Sequence, residues 1–267
     1  MERYSAEGRK DRHVVEEMAR EVVGTHPDVI VLFSNVHALA FKEATTVIPI
    51  VASTADPVAT GVVPSLARPG GNITGVATNA GFQMHEKWIE LLKELVPKLS
   101  SIFFLASEHN WEATGFSGVA VREGAKRVGV SLIPILLGST FNEAAYERAF
   151  KSMEQDRADA LIVSDETEHW AHPKAVVRLV AERRLPAMYP GRVFVESGGL
   201  MSYATDHVSV PLRLAAVIAD VLKGKKPQDI PFSQPTKFEL VINLKTAKSQ
   251  GIDVPHTLLA RADEVIE

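Results

Sequence analysis

The sequence predicts an α/β fold, with parallel sheets covered by helices on both faces. Three observations carry this reading. Short β-branched runs alternate strictly with amphipathic stretches of helical period. The runs, such as Asp28-Val29-Ile30-Val31-Leu32-Phe33, are continuously apolar, as expected of strands buried on both faces. A βαβ block also echoes another about half a chain away. Asp28-Val29-Ile30-Val31 leads through a polar loop and a helix to Ile48-Pro49-Ile50. Asp159-Ala160-Leu161-Ile162-Val163 leads in the same way to Leu185-Pro186-Ala187. Such an echo suggests two lobes of similar build, although two βαβ units in one sheet would read alike.

The elements follow in order. A first helix is expected over 10–23, where Val14, Val15, Met18 and Val22 recur at helical spacing, and Thr25-His26-Pro27 ends it. The strand at 28–33 is followed by a helix near 38–45 and strands at 47–52 and 73–77, the last after the turn Pro69-Gly70-Gly71-Asn72. Residues 83–96 make an amphipathic helix with Trp88, Leu91, Leu92 and Leu95 on one face. Strands at 101–106, 130–136, 160–163 and 187–189 then alternate with helices at 118–128, 143–154 and 173–183.

Composition narrows the function. The 267 residues include 29 Lys and Arg against 33 Asp and Glu, a net charge of -4, and the cations are scattered; a nucleic-acid footprint is absent. With no cysteine there is no disulfide, thiolate metal site or cysteine nucleophile. No apolar run has the length of a membrane span, and Met1-Glu2-Arg3-Tyr4-Ser5-Ala6-Glu7 lacks the apolar core of a signal peptide.

Enzyme signatures are missing as well. There is no Gly-x-Ser-x-Gly elbow, no phosphate loop followed by Lys and no Gly-x-Gly-x-x-Gly turn opening a helix. His169 and His172, with Glu166 and Glu168, are the nearest approach to a metal site, yet Pro173 follows at once and places both histidines in a loop. The reading is therefore no enzyme, no metal and no cofactor.

Ligands of open parallel sheets lie beyond the carboxyl ends of the strands. Here those ends carry Ser34, Asn35, Thr54, Asp56, Asn110, Trp111, Ser164, Asp165 and Tyr189. Their hydroxyls, amides and carboxylates suit a small polar solute. Each small polar one is equally a helix N-cap by type, and Trp111 and Trp170 suit either a stacked ring or the edge of the core.

The C-terminal third adds specific motifs: Gly198-Gly199-Leu200-Met201-Ser202-Tyr203, then 235–248 from Pro235 to Lys248, then 258–266. Together with Ala6-Glu7-Gly8-Arg9, Asp56-Pro57-Val58 and the stretch from Leu66 to Gly75, they resemble the ABC transporter substrate-binding protein family that includes tryptophan/tyrosine-binding receptors. That resemblance implies a type I periplasmic-binding-protein architecture. Two Rossmann-like lobes would be joined by three crossovers, near 78–80, 202–205 and 231–236. Lobe one would comprise 1–78 and 206–231, lobe two 79–205 and 232–267. It also implies capture of a small molecule, an amino acid or relative with aromatic ones foremost, in a cleft lined by the strand-end residues and Asp206. Delivery to an ABC permease in the periplasm or at the cell surface would follow.

Set against the family's pattern, Met1 falls near the end of the second strand. The expectation is that the export signal, first strand and first helix are missing, that the strand at 29–33 has an open edge, and that lobe one is prone to homodimerise. A cytoplasmic sensor lobe, and more remotely a metal-assisted hydrolase, are the alternatives.

Overall fold

The structure, a computed structural model, describes residues 12–78, 83–113, 117–153, 156–205, 209–234 and 237–267. The chain divides into two compact units. Unit 1 is 1–81 with 206–236, and unit 2 is 82–205 with 237–267, so the chain passes between them three times.

Unit 1 is built on a three-stranded parallel sheet, β1 (Ile30–Leu32), β2 (Ile50–Thr54) and β3 (Ile73–Ala77), in that order. Two helices, α1 (Arg12–Gly24) and α2 (Asn35–Ala44), cover one face, where Ala19, Val22, Ala38 and Phe41 pack on Ile30, Leu32, Ile50 and Ile73. The other face carries Val51 and Val76 under Leu214, Val217 and Val221 of α9 (Ser209–Leu222). Gly75 holds φ +157°, and a Cβ there would stand 1.8 Å from the Ala52 carbonyl oxygen, so β2 and β3 approach in a way that admits only glycine.

Residues 232–234, assigned to lobe two by sequence, belong with this unit. The Phe232 amide donates to the Leu66 carbonyl, Ser233 donates to the Gly75 carbonyl, and the Ala77 amide returns a bond to Ser233. The hydrogen-bonding edge of β3 thus holds the chain some residues longer than the resemblance implied.

Unit 2 has a seven-stranded sheet. Its strands are β4 (Ser101–Ser107), β5 (Ser131–Leu137), β6 (Ala160–Val163), β7 (Ala187–Tyr189), β8 (Met201–Thr205), β9 (Phe238–Asn243) and β10 (Glu264–Ile266). Their order is β10-β9-β8-β7-β6-β4-β5. On one face α3 (Gln83–Leu95) buries Trp88, Leu91, Leu92 and Leu95 against Ile102, Phe104 and Ile162. On the other, α6 (Glu143–Ser152) and α7 (Pro173–Glu182) place Tyr146, Phe150, Val176 and Val180 over Phe103, Leu105 and Leu161.

Seven of the eight strand pairings across both sheets are parallel, and the β8–β9 pair is antiparallel. The strict alternation of strands and helices did not announce it. A right-handed crossover forces parallel pairing only between strands it connects. β9 arrives instead from unit 1, and nothing in its connection dictates direction.

Candidate functional site

At the carboxyl end of unit 2's sheet, β4 and β6 are neighbours and deliver Ser107 and Ser164 side by side. Between and below them lies a buried polar chain. Glu166 accepts from the Ser107 amide (2.9 Å), the Ser107 hydroxyl (2.5 Å) and the Ser164 hydroxyl (2.7 Å). His169, wholly buried in the 3-10 turn Thr167–Ala171, sets Nε2 2.9 Å from Ser164 Oγ and Nδ1 2.8 Å from the Tyr146 hydroxyl.

Burial first, then the negative charge of Glu166 and Glu168, pushes the Tyr146 phenol up, so it stays protonated and donates to His169 Nδ1. His169 Nε2–H then donates to Ser164, and Ser164 to Glu166. Every donor in the chain has an acceptor, which is the condition for a buried polar network to stabilise rather than cost. Asp165 sits between two anchored neighbours, Ser164 and Glu166. Its carboxylate, 16% exposed, lies 3.6 Å from Nε2 of His85 on α3.

The network resembles a nucleophile–base pair only superficially. Ser164 has no exposure, its proton goes to a carboxylate on its own side, and a tyrosine rather than an acid orients the histidine. His172 turns Nε2 to the Phe141 carbonyl at 3.0 Å. Both histidines are thus engaged with protein groups, and no cluster of three metal-ligating side chains occurs among the described residues.

The other strand-end residues divide by role. In unit 1, Ser34 caps α2 by accepting from the Val36 amide, and Asn35 Oδ1 accepts from the Ala55 amide, tying the ends of β1 and β2 together. Asp56 accepts from the amides of Val58 and Ala59 and so shapes the loop after β2. Thr54 is different: its hydroxyl is buried at the end of β2 without a hydrogen-bond partner.

In unit 2, Asn110 Oδ1 takes the Ser117 hydroxyl and the Gly118 amide, stapling α4 (Glu108–Glu112) to α5 (Ser117–Val128). Trp111 packs on the core beside Phe104 with the Arg122 guanidinium 4.3 Å above its ring. Tyr189 is 1% exposed, stacked on Phe194 at 5.6 Å, and burial pushes its phenol up. Gly199 makes room for it, since a Cβ there would meet the Tyr189 ring at 2.7 Å. Trp170 also packs edge-on against Phe194. Asp206 lies outside the described residues.

Capping and core packing therefore account for Ser34, Asn35, Asp56, Asn110 and Tyr189. Sequence reasoning passed over Tyr146 and His85 and weighed Glu166 and His169 only as metal ligands. A carboxylate directly after an apolar strand, as in Ser164-Asp165-Glu166, was the one available signal.

Two parallel-stranded units joined by three passages, with polar groups gathered at the strand ends, define a small-molecule binding protein of type I periplasmic-binding-protein build. Residues 3–266 match the family described as ABC transporter substrate binding protein, and the chain belongs to that family. It is 27% identical over 262 residues to the tyrosine-binding protein of Clostridioides difficile (strain R20291), covering 95% of this chain and 72% of that one. It is similar to the crystal structure of an ABC domain in complex with L-Trp from Streptococcus pneumonia, with a TM-score of 0.81 and 26% identity over 96% of this chain and 86% of that one. A conserved domain protein from Vibrio cholerae matches at a TM-score of 0.81 and 25% identity, over 96% and 84% of the two chains. The family is one of solute-binding proteins, and among the described residues no helix is long and apolar enough to cross a membrane.

Proposed function

We propose that this chain captures an amino acid, with aromatic ones foremost, at the carboxyl ends of its parallel strands and hands it to an ABC permease on the outer side of the membrane, performing no chemistry. The observation that carries this is the family match along residues 3–266, alongside relatives whose names specify tyrosine and L-Trp. The geometry supports it. Thr54 in unit 1 and Asp165 in unit 2 are the strand-end groups best suited to a ligand, a hydroxyl and a carboxylate held on backbones that the surrounding staples make rigid. Ser34, Asn35 and Asp56 share the strand ends of unit 1 with Thr54, and Asn110, Ser164 and Tyr189 share those of unit 2 with Asp165.

A thermal-shift screen of the twenty amino acids tests this. A ligand at a hundred times its dissociation constant adds about 2.7 kcal/mol of stability. Stabilisation by tyrosine or tryptophan is the expected result; no response to any amino acid would overturn the reading.

Self-association through unit 1 is part of the proposal. β1 pairs with β2 alone among the described residues, and Phe33 at its end is 60% exposed. An edge strand of a parallel sheet is a template for another strand. Sedimentation velocity should show dimerisation that a proline in place of Val31 weakens.

A further inference from the structure

The edge of the larger sheet offers a second place for a ligand, built from other residues. β5 is the last strand in the order β10-β9-β8-β7-β6-β4-β5 and pairs with β4 alone among the described residues. A groove of about 400 Å³ at its carboxyl end is lined by both the strand and α6. Leu136, Leu137, Ala145 and Ala149 make it apolar, and Gly138 and Arg148 add polar groups.

The backbone of β5 has a definite polarity toward that groove. Ser131 donates its amide to the Ser100 carbonyl, on the β4 side. Every second residue of a parallel ladder bonds to a given neighbour. Ser131, Ile133, Ile135 and Leu137 therefore face β4, while Leu132, Pro134 and Leu136 turn their backbone groups outward. Pro134 has no N–H, so a strand added to this edge could not pair past it. Leu136 offers both an N–H and a carbonyl, and the Gly138 amide beyond it donates to no protein group among the described residues.

Arg148 supplies charge. The two glutamates of its own helix, Glu143 and Glu147, both pair with Arg178 of α7, at 2.9 and 3.3 Å. That leaves Arg148 without an ion pair among the described residues, and no acidic side chain lines the groove.

We propose that this groove takes the C-terminal tail of another protein chain, one with an apolar last residue, added to β5 as a short parallel strand. The ladder spans three residues. The Pro134 carbonyl accepts the amide of the third residue from the end, and the Leu136 N–H donates to that residue's carbonyl. The Leu136 carbonyl accepts the amide of the last residue. Its carboxylate meets the Gly138 amide and the Arg148 guanidinium, a charge-assisted pair. Opposite Leu137, the last side chain shares the face of the sheet that α6 covers, where the small Ala145 and Ala149 line the groove. A free tripeptide would bring an ammonium that no carboxylate there answers, so the occupant is a tail.

The experiment is an amide NMR titration of the full chain with acetyl-Ala-Thr-Val, its carboxylate free. The amides of Leu136 and Gly138 should shift saturably below about 1 mM, and those of 264–266, on the opposite edge, should stay in place. Amidating the carboxylate should weaken binding by at least about tenfold, and so should Arg148→Ala, with Arg148→Lys recovering part of the loss. N-methylating the valine, which removes the donor to the Leu136 carbonyl, should cost about five- to tenfold. The unacetylated peptide should bind more weakly than the acetylated one. An amidated probe that binds as well as the acid, shifts that bypass Leu136 and Gly138, or no binding by acetylated tripeptides ending in valine, leucine or phenylalanine would overturn the site. A free tripeptide that outcompetes its acetylated form would overturn the tail as occupant. The changes made on the probe leave the protein as it is, so these outcomes do not depend on a variant folding.

Discussion

β1 and β6 are one motif in two settings. In each, a residue at the start of the strand donates its amide to the carbonyl of the proline just before the next strand: Ile30 to Pro49 and Leu161 to Pro186, both at 2.9 Å. Beyond that bond they diverge. β6 has β7 on one side and β4 on the other, whereas the described residues place β2 alone beside β1. The aspartate that precedes each strand marks the difference. Asp159 accepts from the Ser100 amide and hydroxyl and the Ser101 amide, clamping the start of β4. Asp28, at the matching place, is exposed. A local motif can thus fix the geometry of a βαβ unit; how firmly that unit is held depends on its neighbours in the sheet.

The most drastic way to separate the two settings is Gly75→Ala. A methyl group 1.8 Å from the Ala52 carbonyl oxygen cannot be accommodated without parting β2 from β3. Three strands leave nothing to compensate, so unit 1 should lose more than about 4 kcal/mol and become protease-sensitive. Limited proteolysis should leave a protected fragment from unit 2; survival of unit 1 intact would mean its sheet is far more plastic than its geometry implies.

A smaller loss is expected in unit 2 from Glu166→Gln. The amide has one acceptor oxygen where the carboxylate has two, so it cannot keep the Ser107 hydroxyl as well as the Ser107 amide and the Ser164 hydroxyl. The loss should cost about 2–3 kcal/mol in urea unfolding followed by Trp88 and Trp111 fluorescence. Unit 1 should be unaffected.

Hydrogen exchange compares the strands without any substitution. Amides of 30–32 should exchange at least about tenfold faster than those of 161–163, equivalent to ~1.4 kcal/mol of opening free energy. Equal protection would show that β1 is covered after all.

The smallest effect concerns the paired aspartates. The Ser100 amide, its hydroxyl and then Ser101 hold the Asp159 carboxyl below its ordinary value. A folded-state value below the unfolded one stabilises the protein above about pH 4, and that contribution drains away as pH falls through the folded value. Asp159→Ala should cost about 1 kcal/mol at pH 7, allowing for its solvent exposure, and nothing in strong acid. Asp28→Ala should stay within about 0.5 kcal/mol at either pH.

Much of the fold was legible because its signals are local. Periodicity located α3 with all four of its expected core residues, and the echo located both βαβ blocks. The antiparallel β8–β9 pair was hidden, since its strands are brought together across a whole excursion through unit 1. The candidate site was read less well for the same reason. Ser, Asn and Asp after a strand look alike in sequence whether they cap a helix, staple two loops or meet a ligand. The choice is made by partners such as Ala55 for Asn35 or Ser117 for Asn110. The His85–Asp165 approach spans eighty residues and leaves no periodic trace.

The position of β9 also sets a timetable for synthesis. β8 emerges from the ribosome with its far edge unpaired, and its antiparallel neighbour begins only at Phe238, after the remaining segment of unit 1 has been made. At roughly 5–20 residues per second, that gap lasts about 2–7 s. Throughout it the nascent chain displays a strand bearing Met201, Tyr203 and Ala204 to whatever chaperone or neighbouring chain is at hand. The sheet of unit 2, although the larger, is therefore the later of the two to close, and the segment of unit 1 that delays it is already available to finish its own.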